Sequence, residues 1–189
     1  SSVDAPSGIV ERMIGIFADV SALKESEERL ELLSTHDPLT GLYNRTGLRE
    51  ELSQILATEH TRGSAGAVLF VDLDRFKEIN DSHGHAVGDR VLQLVAERLR
   101  EVVRREDVLA RIGGDEFLAV APGLGSDDDA ATVAGTLLTS LRDPFDVDDL
   151  SFLISGSVGI AMYPRDGDDA DELIHCADAA MYRSKALGP

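Results

Sequence analysis

The sequence predicts an α+β fold, a mostly antiparallel central sheet flanked by helices. Two strand-like runs, "VLARI" and "FLAV", are separated only by "GGDE", the length and composition of a tight β-hairpin. A second pair, "FDV" and "FLISGSVGIAMYP", repeats that plan further on. Helical segments alternate with these strands over short connections, and hairpins inside such an alternation argue against a doubly wound parallel sheet.

Taken in order, "IVERMIGIFADV" (residues 9–20) reads as one strand with no partner to pair with, and so as a piece cut from a larger domain. "SALKESEERLELLSTH" sets Leu23, Leu30 and Leu33 at near-heptad spacing between charges, a short helix able to join a two-helix coiled coil. Pro38 and Gly41 end it and open a new unit near Asp37. Residues 46–60 read as a helix, and "AVLFVDL" as a buried central strand. Residues 86–104 place Val87, Val91, Leu94, Val95 and Val102 on one helical face. The first hairpin follows, then a helix over 128–141 and the second hairpin. A helix over 170–187 closes the chain, with Leu173, Ile174, Ala177 and Met181 inward.

A chain of 189 residues with 43% hydrophobic content suffices for one complete domain. Its 35 acidic and 18 basic residues give a net charge of −17, which repels nucleic acid and anionic membranes. A polyanionic ligand would need help, most simply from a metal. Cys176 is the sole cysteine, which excludes an intrachain disulfide and leaves a small buried helix residue. No apolar run approaches the roughly 20 residues that cross a bilayer, and the first residues lack the order of a secretory signal. A soluble chain is expected.

Asp72 ends the most apolar strand, and Asp74 follows at a spacing that points both carboxylates the same way if the backbone stays extended. For Asp74 a helix N-cap role before "RFKEIN" is preferred. If the Asp72 strand lies beside the first hairpin, Asp115 and Asp72 can converge on one hard divalent cation, with Gly113 and Gly114 supplying positive φ. Turn statistics alone equally allow "GGDE" to be merely a good turn. The stretch "RFKEINDSHGHAVGD" favours the site: a helical turn after Asp72 would aim backbone N–H groups at an anion, with Lys77 adding charge. Asn80 and Asp89 have the donors and acceptors to read a guanine edge, although Asp89 equally suits the N-terminus of the next helix. His83 and His85 lack a third ligand and read as loop packing or capping. Lys185 suits the last turn of its helix and reaches a phosphate only if that end lies near the site. Arg104 and Asp107 read as a surface salt bridge.

The motifs "DPLTGLYNR", "FVDLDRFKEINDSHGHAVGD", "RIGGDEF" and "ADAAMYRSK", in this order from about Asp37 to the C-terminus, resemble the GGDEF-domain diguanylate cyclases. The resemblance implies a palm-like fold and synthesis of cyclic di-GMP from two GTP molecules across a homodimer, at a cytoplasmic location. It implies Mg²⁺, with Mn²⁺ as a substitute, held by Asp72, Asp115 and the Leu73 carbonyl. Glu116 becomes a second acidic ligand or a helper in activating the 3′-hydroxyl. Asn80 and Asp89 become guanine readers, and the backbone of Arg75 and Phe76 with Lys77 and Lys185 would hold phosphates. Arg104 and Asp107 fall where the family's RxxD site binds inhibitory product.

"GIFADVSALKESEERLELLS" resembles the last strand of a PAS sensor running into a signalling helix. The expected organisation is therefore a PAS remnant over 1–20, a signalling helix over 21–36 and a catalytic domain over 37–189 of a longer protein. Two departures stand out: "KALGP" lacks the family's further basic residue after Lys185, and no Lys or Arg occurs between Arg111 and Arg142 to serve a product site. A silent GTP or cyclic di-GMP sensor, and a cyclase or polymerase-like enzyme for another nucleotide, are the rival readings.

Overall fold

The structure, a computed structural model, describes residues 32–187. The chain divides into residues 1–34 and 35–189. The strand expected over 9–20 and most of the helix expected over 21–36 lie outside the described residues; residues 32–35 are helical.

Helix α1 (Arg45–Arg62) begins where Asn44 accepts from the Thr46 and Gly47 N–H groups, and it ends at Gly63, whose φ of 67° suits a residue without Cβ. Strand β1 (Gly66–Leu73) follows, then α2 (Phe76–His83) and α3 (His85–Val102). Strands β2 (Val108–Gly113) and β3 (Glu116–Pro122) form the first hairpin as expected. Helix α4 (Asp127–Ser140) is capped by Ser126 and carries Asp127, Asp128 and Asp129 in its first turn, where acids suit the dipole.

The second hairpin differs from expectation. Phe145–Val147 (β4) pairs with Leu150–Phe152 (β5) as a separate ribbon, and Gly156–Tyr163 (β6) leaves for the main sheet. The apolar run "FLISGSVGIAMYP" is thus two strands, because β1 offers its second edge to β6 while β3 takes the first. The central sheet runs β2-β3-β1-β6 and every pairing is antiparallel, as the α+β reading requires.

Strand β1 is buried on both faces. Leu69, Val71, Phe117 and Leu99 belong to the core on one side; Val68, Phe70, Leu48 and Leu173 belong to that on the other. Each such fully buried side chain contributes roughly 1.5–3 kcal/mol. Helix α5 (Ala170–Leu187) lies directly on β6 at Gly159, where an added Cβ would meet the Ala177 carbonyl oxygen and the Met181 nitrogen at 2.1 Å. Leu173, Ala177 and Met181 face inward as expected, while Ile174 is half-buried. Cys176 is half-buried, not fully buried, and its thiol donates to the Asp166 carbonyl at 3.3 Å.

Candidate active site

Antiparallel pairing brings the acidic motifs together. Strand β1 delivers Asp72 opposite Glu116, the first residue of β3, and the Leu73 N–H donates to the Asp115 carbonyl at 3.2 Å. The turn between β2 and β3 needs its glycines: Gly114 has φ 49°, a value that favours a residue without Cβ.

Arg111 holds this turn. Its guanidinium donates to the Gly114 carbonyl at 2.8 and 3.0 Å and to both oxygens of Asp37 at 3.0 Å. Asp37 also accepts from the Thr40 N–H and hydroxyl. Burial works against the Asp37 carboxylate, but Thr40 and Arg111 outweigh it and hold its pKa below the ordinary range. The segment behind it rests on β2, with the Arg111 N–H donating to the Tyr43 carbonyl at 2.8 Å. Sequence reading passed over Arg111 and Asp37 as site supports. Their signal was present, since both sit inside the quoted motifs, but a pairing across 74 positions has no local signature.

On the other flank, α5 brings Lys185 to the sheet. Its ammonium pairs with the Asp72 carboxylate and lies 4.0 Å from Asp74. Asp74 is not the N-cap expected of it: it accepts from the Ser155 hydroxyl at 2.7 Å and the Ser157 hydroxyl at 2.9 Å. The α2 N-cap is Arg75, held at φ 60° with no side-chain cap. A non-glycine residue in that region is strained, and such strain gathers at functional turns. Phe76 is buried beneath the turn while Arg75 and Lys77 are exposed.

Asn80 of α2 and Asp89 of α3 lie on either side of the junction between these helices. Gly88 passes so close to Asn80 that a Cβ there would lie 2.0 Å from its Oδ1, which sets the amide one residue from Asp89. His83 packs edge-on against Phe152, centroids 5.2 Å apart, in keeping with a packing role.

Like charges crowd this end of the sheet. Burial, then the Asp115 and Asp74 charges, push the Asp72 carboxyl up, with Lys185 opposing. Burial, then the charges of Asp72, Asp115 and Asp178, push Glu116 up. An all-oxygen, like-charged donor set fits a hard divalent cation. Among the described residues, the three carboxylates that each bring an oxygen within 4.8 Å of the others lie elsewhere: Asp168, Asp169 and Glu172, all exposed.

Arg104 and Asp107 lie at the far end of the same hairpin, since Val108 pairs with Val120 while Gly113 pairs with Glu116. Their link is not a salt bridge. The Arg104 backbone N–H donates to Asp107 Oδ2 at 2.8 Å, the guanidinium is exposed, and burial pushes the Asp107 carboxyl up. A cleft of about 510 Å³ opens here, lined by His36, Tyr43, Arg100, Arg104, Arg105 and Asp107 among others.

Residues 34–189 match the family model described as "Diguanylate cyclase, GGDEF domain". The chain is 40% identical over 169 residues to the cyclic di-GMP phosphodiesterase NbdA of Pseudomonas aeruginosa, covering 89% of this chain and 22% of the relative. It is 41% identical over 164 residues to the diguanylate cyclase TpbB of the same organism, covering 86% and 38%. It therefore spans only about a fifth to two fifths of these relatives' lengths. The solved coiled coil and GGDEF domain of DgcB from Caulobacter crescentus, in complex with c-di-GMP, superposes with a TM-score of 0.86 at 28% identity and 96% coverage of both chains. Among the described residues no helix is long and apolar enough to cross a membrane.

Proposed function

The chain belongs to the GGDEF-domain diguanylate cyclase family, and from that premise we propose that it condenses two GTP molecules into one cyclic di-GMP with release of two pyrophosphates. The observation that carries this reading is the meeting of Asp72, Asp115 and Glu116 at one sheet end, beside Lys185 and the strained turn at Arg75.

Asp72, Asp115, Glu116 and the Leu73 carbonyl are the residues that would hold Mg²⁺ or Mn²⁺. A divalent cation, when bound, neutralises phosphate charge and organises an in-line displacement. Of the chain's own groups, the backbone at Arg75 and Phe76 donates to phosphate oxygens, Lys77 adds charge, and Lys185 turns from Asp72 toward the triphosphate. The Asn80 amide donates to and accepts from the guanine edge, and the Asp89 carboxylate accepts from its N–H groups. Glu116, its carboxyl already pushed up, is suited to take the proton of a 3′-hydroxyl. The 3′-oxygen of one GTP attacks the α-phosphorus of the other, so two copies of the chain must face each other. The near-heptad spacing of Leu23, Leu30 and Leu33 in the sequence would suit a coiled coil holding two copies together, and specific activity should then fall on dilution.

Arg104 and Asp107 are proposed to bind product and restrain the enzyme. A second reading, a nucleotide-binding module without turnover, has support in the name of NbdA, a phosphodiesterase that contains a similar stretch. Incubation with GTP and Mg²⁺, with chromatography for cyclic di-GMP, separates the two. Product from the parent and none from Asp115→Ala supports the cyclase, whereas ligand binding without product from either supports the module.

A further inference from the structure

Behind the Arg104/Asp107 cleft lies a second set of buried polar atoms that catalysis does not use. Tyr163 is the last residue of β6 and only 2% exposed. Its ring crosses β1 at Gly66, its register partner: a Cβ on Gly66 would lie 2.1 Å from the phenol oxygen and 2.6 Å from the Ala121 carbonyl oxygen of β3. The phenol therefore hangs over the strand toward the hairpin. Val108 packs against the same cluster as Tyr163, and Asp107 is the residue before it. Both the Tyr163 hydroxyl and Asp107 Oδ1 are buried without a hydrogen-bonding partner among the described residues. Leaving two such atoms dry is unfavourable, and native structures commonly satisfy them with an internal water.

We infer that Tyr163 is a positioning residue for the Arg104/Asp107 site, its phenol holding the inward oxygen of Asp107 through one buried water. Asp107 Oδ2 is already fixed by the Arg104 N–H, so a donor on Oδ1 sets the carboxylate's plane and its readiness to accept from a guanine. Burial, with the Glu59 and Asp107 charges beside it, holds the phenol far above the usual tyrosine range, so it remains a donor at every working pH. The groups that face Asp107 are Arg104 and Glu106 of its own turn, Arg100 of α3, His36, Tyr163 and, through Tyr163, Glu59 of α1.

The inference rests on the product-site reading, and its test separates the two. Tyr163→Phe keeps the ring over Gly66 and removes only the donor. In nucleotide-free protein, the ¹³C carboxyl resonance of Asp107 should titrate about one pH unit higher in Tyr163→Phe than in the parent. An unchanged midpoint overturns the inference whatever the site binds. Calorimetry with cyclic di-GMP should show roughly five- to tenfold weaker binding by Tyr163→Phe, with the loss on acidification setting in at higher pH and the initial rate in product-free GTP unchanged. Equal affinity and an equal pH profile, where Arg104→Ala does lose affinity, also overturn it. Arg104→Ala that binds cyclic di-GMP as the parent does defeats the product-site reading alone, and the carboxyl titration still decides the contact.

Discussion

Asp37 and Asp72 are matched in exposure, at 16% and 14% of the side chain, and each faces one cation, yet their carboxyls are pushed in opposite directions. Asp37 is fully served: both oxygens accept from Arg111 Nη1, one also from Thr40, while the other two guanidinium nitrogens hold the Gly114 carbonyl. Asp72 has Lys185 on its side and Asp115 and Asp74 against it. Burial is common to both, so the neighbours decide. The first carboxylate braces the turn, and the second is held at a cost that only an added cation, or loss of its charge, relieves.

Arg111→Ala should do the most damage, since it strands Asp37 and frees the Gly114 carbonyl. A loss of about 2–4 kcal/mol in denaturant unfolding is expected, with Arg111→Lys recovering less than half because it lacks the fork. Loss under about 0.5 kcal/mol would place Asp37 in the same class as a surface pair. On the site side, Gly88→Ala forces the Asn80 amide aside and should raise the KM for GTP roughly tenfold, as for one lost base contact, with little change in kcat. An unmoved KM would remove Asn80 from guanine reading. The smallest effect concerns acid. Asp37 has a folded pKa below its unfolded value, so its contribution is complete above the ordinary carboxylate range and is lost as pH falls through the folded value. Unfolding of the parent below about pH 4 should steepen by on the order of 1 kcal/mol relative to Asp37→Asn, whose curve lacks that component.

Periodicity and turn chemistry made most of the fold legible: the strand at Gly66–Leu73, the hairpin around Gly113 and Gly114, and the helices with their apolar faces appear within a few residues of expectation. The split between β5 and β6 did not show, because "FLISGSVGIAMYP" is apolar throughout and only pairing with β1 reveals which part joins the sheet. Asp74 misled for a related reason. Its cap chemistry is local and visible, whereas its real partners, Ser155 and Ser157, lie 81 and 83 positions away. Lys185 looked solvated in its own helix and meets Asp72 only because Gly159 lets α5 lie on β6. Local signals thus named the acidic residues of the candidate site, and tertiary packing chose what braces them.

Asp72→Asn, followed for unfolding and for GTP turnover in the same preparation, bears on the difference between the two carboxylates. The expected result is stability equal to or above that of the parent, because a crowded charge is gone, with cyclic di-GMP synthesis reduced by at least about a hundredfold. A variant that unfolds more readily yet still makes cyclic di-GMP would show that Asp72 is a brace like Asp37 and that the chemistry lies elsewhere.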